Sequence, residues 1–451
     1  MVFHLSQALG RIKNSLALLL DRSLIEHACR QEGHQWRQRL LDPVTTLHLF
    51  ILQVLHGNTA CNHLPHLSDL RFTASAYCQA RARLPLQVIR NLLANLCGVL
   101  DSETTQADDL WRGHRTFLLD GSSFSMPDTP ELQEHFGQPG VQRKGCGFPV
   151  AHLLAMFHAR TGFLIEALAS PLRTHDMKHA AQMHPKLKTG DVLLADRGFC
   201  SFAHLALAAD RGLQAVFRMH QQVIVNFTPK RPHAERGNRK QSKGLPTSRW
   251  LKQLGVCDQL VEWIKPARRP KWMTAEQYVA LPDVLEVREL RYRVDRPGFR
   301  VNEVTLVTTL LDPTTYPAEA LAELYAVRWR VEVQLRDLKQ TMKMDVLHCK
   351  TVAGVLKELA VFALVYNLIR TVILAAARRQ GVSPDRISFI DAVRWLCSAR
   401  PGKRLDDLIV NPLRPGRIEP RVVKRRPKSY KLLTEPRQTL QDRLQGGSPV
   451  T

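Results

Sequence analysis

Three carboxylates in this chain stand where a sequence could build a metal centre. Asp120 closes an apolar, strand-forming run from Thr116 to Leu119 and is followed by Gly121-Ser122-Ser123. Asp196 closes a second run, Val192 to Ala195, and is followed by Arg197-Gly198-Phe199. A carboxylate where a buried strand meets a loop is held rigidly and still faces solvent, which suits a metal ligand. An aspartate at a strand end more commonly just caps the next turn. If the two strands are neighbours in one sheet, both carboxylates emerge at the same edge. The third carboxylate is Glu332, in the segment from Leu324 to Met342, where Arg328, Glu332 and Lys339 lie 3, 7 and 14 residues after Tyr325. On a regular helix the four side chains fall near about 0°, −60°, −20° and −40°, one narrow strip. Leu324, Val327, Val331, Leu335, Leu338 and Met342 form an adjacent apolar stripe that would face a core. An Arg328–Glu332 pair at i,i+4 is also what a solvated helix face carries, where it contributes only a few tenths of a kcal/mol. A Tyr-Arg-Glu-Lys strip beside two strand-end aspartates instead suggests bound metal ions flanked by phosphate-binding groups.

The surrounding pattern supplies the elements that must position these groups. Residues 1 to about 105 read as helical, with Leu47, Phe50, Ile51, Val54 and Leu55 at helical spacing. Ser75 to Leu84 is a short helix whose Arg81 and Arg83 suit either a DNA surface or a solvated face. Beyond residue 115, strands are expected at 116–119, 148–157, 162–169, 191–195 and 213–219, with Arg160-Thr161-Gly162 as a hairpin turn. Helices are expected at 177–184 and 202–211. Three strands, helix, strand, helix, strand is the element order of ribonuclease-H-like folds, an analogy of order that does not itself establish function. A polar, basic stretch follows from Phe227 to Lys252, then strands at 284–294 and 301–310, so residues 221–310 read as a β-rich insertion with a basic loop. Trp250, Trp263 and Trp272 within it are read as core or interface anchors rather than base-stacking residues. Long helices are expected from Pro317 to about Met342 and from about Val352 to Arg379. The final part, with Arg414, Arg417, Arg421, Lys424, Arg425, Arg426, Lys428 and Lys431, reads as an extended, weakly structured arm.

Charge narrows the partner. Lys and Arg number 64 against 41 Asp and Glu, a net charge of +23, which implies a polyanion and most commonly nucleic acid. Charge alone leaves open unspecific binding, or mere solubility. Nine cysteines without a CxxC pair suit a reduced, cytoplasmic setting. The apolar stretch from Leu359 to Ala377 is interrupted by Asn367 and Arg370 and reads as a buried core helix, with no membrane partner expected. His175 and His179 are four residues apart but lack an accompanying zinc motif. Ser122 and Ser123 lack the arginine-rich surroundings of a serine recombinase and read as turn residues.

Tyr325, Arg328, Glu332 and Lys339 match the YREK signature of the insertion-sequence-four family of bacterial transposases. Asp196, Gly198 and Phe199 match its D-x-G-[FY] block, and Asp120-Gly121-Ser122 resembles its first block. The Arg328-Trp329 pair and the run from Tyr366 to Arg370 are similar to common family sequences, and the 332 − 196 = 136 residue gap suits an enzyme with a β-rich insertion. The resemblance covers most of the chain. It implies a DDE transposase that binds terminal inverted repeats and performs cut-and-paste transposition. The fold implied is α/β: a ribonuclease-H-like core with a mixed five-stranded sheet, interrupted by a β-rich insertion and preceded by a helical domain. The expected parts are a DNA-binding domain at 1–105, core at 106–220, insertion at 221–310, core with the YREK helix at 311–380, and a basic region at 381–451. Asp120, Asp196 and Glu332 would hold two Mg²⁺ ions, replaceable by Mn²⁺, with Asp120 bridging. Tyr325, Arg328 and Lys339 would contact DNA, and in the family this group helps manage a hairpin on the transposon end. The partners implied are double-stranded transposon ends and target DNA, with a dimer in the synaptic complex, near the bacterial nucleoid. A nuclease without strand transfer, and a non-catalytic inhibitor that binds ends, are the alternatives.

Overall fold

A computed structural model describes residues 20–101, 110–172, 174, 176–234, 244–294, 303–398, 405–413 and 430–445. Five helices come first: α1 (Arg22–Gln31), α2 (Pro43–Leu55), α3 (Leu64–Ser68), α4 (Ala74–Arg83) and α5 (Leu86–Asp101). Helix α2 begins where a helix start is cheapest, with the Asp42 carboxylate accepting from the Thr45 N–H and Pro43 in the first turn. It is buried nearly all round, so it serves as a core element of this part of the chain. Helix α4 forms where expected, but Arg81 does not face outward. Its guanidinium lies 4.5 Å from the Phe50 ring centre and donates to Gln53 and to the Cys349 sulfur, so it braces the interior.

The remaining chain builds one nine-stranded sheet. Its strands are β1 (Thr116–Ser125), β2 (Val150–His158), β3 (Leu164–Pro171), β4 (Val192–Ala195), β5 (Gln214–Arg218), β6 (Ser248–Gly255), β7 (Asp258–Ile264), β8 (Val284–Arg293) and β9 (Glu303–Thr308). Their spatial order is β3-β2-β1-β4-β5-β9-β8-β7-β6. Strands β1, β2 and β3 pair antiparallel, β1–β4 and β4–β5 pair parallel, and β5–β9 is antiparallel. All five strands expected before the insertion form, with boundaries moved by a few residues. Strand β1 is longer than expected. It continues through Ser125 opposite Val150, so Asp120 lies within a strand, and Ser122 and Ser123 are strand residues rather than turn residues. The insertion holds β8 and β9 as expected, plus β6 and β7, and its strands extend the first sheet. Of the basic loop, residues 235–243 lie outside the described part, and Arg231 is buried, donating to Ser248.

Helices cover both faces: α6 (Pro130–Phe136), α7 (Asp176–Met183), α8 (Phe202–Asp210), α9 (Ala275–Ala280), α10 (Ala318–Ala326), α11 (Arg330–Arg336), α12 (Val352–Gln380), α13 (Phe389–Ser398) and α14 (Arg437–Gln445). The long helix expected from Pro317 is broken into pieces. Residues Val327–Trp329 tighten into a 3₁₀ turn and Asp337–Thr341 widen into a π turn.

Helix α12 is long and apolar enough to cross a membrane, but it is packed in the middle of the fold. Its polar residues are satisfied inside. Asn367, fully buried, donates to the Leu164 carbonyl and accepts from the Leu164 N–H. Arg370 donates to the Thr161 carbonyl in the hairpin turn after β2. Gly162 fills that turn at φ +73°, and a Cβ there would stand 2.5 Å from the Arg370 guanidinium, so both backbone angle and space require glycine. The buried Glu358 accepts from the His348 and Cys349 N–H groups and from Asn58, joining the first helices to the segment after the π turn. The final arm is only partly described: residues 414–429 lie outside. Residues 430–445 contain helix α14 and a bridge between Leu432 and Gly147, more structure than an extended arm predicts.

Candidate active site

Strand pairing alone brings the two aspartates together. Leu119 is the register partner of Ala195, and Ala195 of Phe217. The next residue on each strand is therefore Asp120, Asp196 and Arg218, a row with an interstrand spacing of about 4.8 Å. Strand β4 ends at Ala195 while β1 continues to Ser125, where residues 345–347 pair with it. Each aspartate is turned by its own backbone. Asp120 Oδ1 accepts from the Gly121 N–H at 2.8 Å, and Asp196 Oδ1 from the Gly198 N–H at 2.8 Å. A Cβ on Gly198 would stand 3.0 Å from Asp196 Oδ1, which explains a glycine two residues after the aspartate. Beneath this turn, the His204 ring bonds the Phe199 carbonyl at 2.9 Å and stacks on His184. Burial pushes both imidazoles down, to about 4 and about 3, so the pair is neutral and rigid at ordinary pH.

The broken helix places the remaining groups. A 3₁₀ turn advances more than 100° per residue and a π turn less, so the two departures rotate side chains in opposite senses. Leu324, Val331, Leu335, Leu338 and Met342 are buried, as the apolar stripe requires, and Val327 is half-buried. Arg328 reaches between the acids, with Nη1 3.4 Å from Asp120 Oδ2 and Nη2 3.5 Å from Glu332 Oε1. Its guanidinium also lies 5.9 Å from the Tyr325 ring centre. Tyr325 is buried and its hydroxyl has no hydrogen-bond partner among the described residues. Lys339, inside the π turn, donates to Ser122 Oγ at 3.1 Å. Thus all six residues singled out by sequence gather around the end of β4. Two neighbours were passed over. Ser122 was read as a turn residue, and Arg218 lay within the expected strand 213–219 without being singled out. The signal for Arg218 was its place at the end of the third parallel strand; its charge acts on the Tyr325 hydroxyl.

The electrostatics are those of crowded acids. Burial pushes the Asp120 carboxyl up to about 6, helped by the Asp196 and Glu332 charges and opposed by the Gly121 N–H and Arg328. Burial works against the Arg328 charge, but Tyr325, Asp120, Asp196 and Glu332 outweigh it and hold the guanidinium above its ordinary value. Hard oxygen donors of this kind fit Mg²⁺ or Mn²⁺ chemistry. Among the described residues no three His, Cys, Asp or Glu side chains form a ready-made metal cage, and Arg328 spans the gap between Asp120 and Glu332. His179 pairs with Gln182, and His175 lies outside the described residues.

The raised Asp120 value has a measurable consequence for the metal-free protein. A carboxyl whose folded value lies above its unfolded one favours the native state only while protonated. Its contribution is full below pH 3.8 and is lost as pH rises through about 6. Asp120→Asn removes a penalty that is complete above pH 6, so it is expected to stabilise the metal-free chain at pH 7.5 by about 1–2 kcal/mol. The gain should fade towards pH 4. Thermal melts of both proteins across that range check this; a lower melting temperature for the variant at pH 7.5 would reverse the sign.

Comparison with known proteins finds transposases. Residues 111–368, more than half the chain, match the family model described as the transposase DDE domain. The chain is 25% identical over 385 residues to the transposase InsG for insertion sequence element IS4 of Escherichia coli (strain K12), covering 79% of this chain and 77% of the relative. Among solved structures, the piggyBac transposase in a synaptic complex with hairpin DNA aligns over 84% of this chain and 78% of that one, with 10% identity and a TM-score of 0.41. From the transposase DDE match and the insertion-sequence relative together, the chain belongs to the DDE transposases of the insertion-sequence-four family.

Proposed function

We propose that this protein binds the terminal inverted repeats of an insertion sequence, hydrolyses a phosphodiester at each end and joins the freed 3′-hydroxyl to target DNA. The observation carrying this reading is the row of Asp120 and Asp196 at the end of β4, linked through Arg328 to Glu332. The order β3-β2-β1-β4-β5, antiparallel and then parallel, supports a ribonuclease-H-like core. We divide the chain as the sequence suggests: a DNA-binding helical part at 1–105, core at 106–220 and 311–380 around an insertion at 221–310, and a basic region at 381–451.

Asp120, Asp196 and Glu332 would hold two Mg²⁺ ions, with Mn²⁺ as a substitute. Such ions, when bound, activate the attacking oxygen and stabilise the leaving one in an in-line displacement. Arg328 would then leave its long contacts with the acids and fork onto a DNA phosphate, while Lys339 presents a point charge beside Ser122. The buried Tyr325 hydroxyl would orient a phosphate near the cut. Joining two ends requires two protomers on DNA, and the place of action would be the bacterial cytoplasm at the nucleoid.

Incubating the protein with labelled end DNA, a target plasmid and Mg²⁺ tests the reading. Joined products are expected; cleavage without joining would leave a nuclease, and binding without cleavage under any divalent ion would leave an end-binding inhibitor. Arg328→Ala is expected to weaken end binding and to reduce the slope of log affinity against log salt by about one. An unchanged slope in a fluorescence-anisotropy salt titration would remove Arg328 from the phosphate contacts.

A further inference from the structure

The last described segment of the chain lines a cleft that Glu332 and Lys339 also line. Beyond Leu119 the strand next to β1 has ended, and Ser123, Phe124 and Ser125, together with residues 345–346 that pair with Ser125, border a cleft of about 480 Å³. Helix α11 with Glu332 and the π turn with Lys339 form one wall, and Tyr430 and Lys431 form another. Tyr430 reaches Ser123 on β1, with 3.4 Å between the two hydroxyl oxygens, one residue from the Ser122 that receives Lys339. Lys431 is exposed.

This wall is fastened in place. Leu433 N–H donates to the Cys146 carbonyl at 2.7 Å, Leu432 bridges to Gly147, and Arg437 N–H donates to the Gly145 carbonyl at 3.0 Å. The Arg437 guanidinium pairs with Asp128. Gly145, at φ +81°, lets Pro436 seat against it, since a Cβ there would stand 3.3 Å from the Pro436 Cβ. So many contacts far from any catalytic group give two cleft-lining residues a fixed position. A cleft that carries Glu332 and Lys339 on one wall, and Lys431 and the Tyr430 ring on the other, matches a single nucleic-acid strand, whose phosphates need cations and whose sugars and bases pack on rings.

We infer that Tyr430 and Lys431 form the second wall of the DNA channel, Lys431 holding a backbone phosphate and the Tyr430 ring bounding the strand presented to Glu332. The inference rests on the proposed transposase reading and adds these two positioning residues to it. The test uses the full chain with end DNA, comparing Tyr430→Phe, Tyr430→Ala, Lys431→Ala and Lys431→Arg with wild type, and Glu332→Ala as the inactive control. Tyr430→Ala is expected to slow single-turnover cleavage about tenfold at saturating protein, with Tyr430→Phe within about threefold of wild type. Lys431→Ala should lower end affinity several-fold and flatten the salt dependence by about one, with Lys431→Arg restoring both. A merely structural role would lower thermal stability and leave the salt slope alone. If wild type cleaves, Glu332→Ala does not, and all four variants match wild type in cleavage and slope, the second wall is wrong although the enzyme reading stands. If wild type does not cleave, the enzyme reading itself fails, and an unchanged Lys431→Ala salt slope in binding would then sink the wall as well.

Discussion

Glu332→Ala is expected to lower metal-dependent cleavage of end DNA by about a thousandfold or more while leaving end binding within a few-fold of wild type. The size follows from the several kcal/mol that a bound cation contributes to an in-line displacement at phosphorus, at about 1.4 kcal/mol per tenfold in rate. Selectivity for chemistry over folding follows from position. The Glu332 side chain is 48% exposed and pairs with Arg328 at 3.5 Å, so its removal leaves no cavity and strands no buried group. Arg328 keeps Asp120 as its remaining acid. Single-turnover cleavage on gels, with anisotropy on the same preparation, separates the two effects. Cleavage within about threefold of wild type would sink the assignment of Glu332 as a metal ligand.

Arg288→Ala carries the largest stability effect we expect, a loss of about 3–5 kcal/mol. Arg288 is completely buried on β8 and its guanidinium pairs with both carboxylate oxygens of Asp258 on β7. Its third arm donates to the Tyr316 carbonyl at 2.6 Å, just before α10. Tyr316 in turn bonds His114 through its hydroxyl at 2.7 Å and stacks on Trp111, at the entrance to β1. Truncating the arginine leaves an uncompensated buried carboxylate and unties the insertion from the start of α10, the first piece of the broken helix that leads to Arg328 and Glu332. Replacing both partners, as in Arg288→Met with Asp258→Leu, should recover much of the loss, because the cost lies in stranding one charge. Urea unfolding midpoints decide it; a loss below about 1 kcal/mol would show that water reaches Asp258 once the arginine is gone.

The two assignments drew on different kinds of information in the sequence. Glu332 was legible because helical spacing is local: Tyr325, Arg328, Glu332 and Lys339 meet through near-neighbour geometry, and even a 3₁₀ and a π turn do not scatter them. The same local pattern could not show those turns. Asp196 was legible as the end of a short apolar run. Asp120 was misjudged in detail because Gly121-Ser122-Ser123 has turn composition, whereas its partner strand, with Val150 and Ala151 fully buried, carries the pairing on to Ser125. Strands β6 and β7 were hidden for another reason. β6 is the last strand of the sheet, and edge strands bear charges such as Arg249 and Lys252 that make them read as loop. That the insertion continues the first sheet depends on β5 meeting β9, a pairing between segments some ninety residues apart in sequence (303 − 214 = 89) that leaves no local trace. Arg81 shows the reverse error. A basic residue on a short helix suggested an outer surface, but Phe50, Gln53 and Cys349 offered its guanidinium better partners within.

That β5 and β9 lie side by side also sets a timetable for biosynthesis. The two aspartates and their strands leave the ribosome first, and the glutamate follows 332 − 196 = 136 residues later. At ordinary elongation rates that is a delay of roughly 7–27 s. During it the nascent chain can pair β1 with β4 but holds only two of its three proposed ligands. Helix α12, which Asn367 and Arg370 fasten to the β2–β3 hairpin, comes later still. An interrupted or prematurely terminated product would therefore carry the two aspartates of the first half without the third proposed ligand.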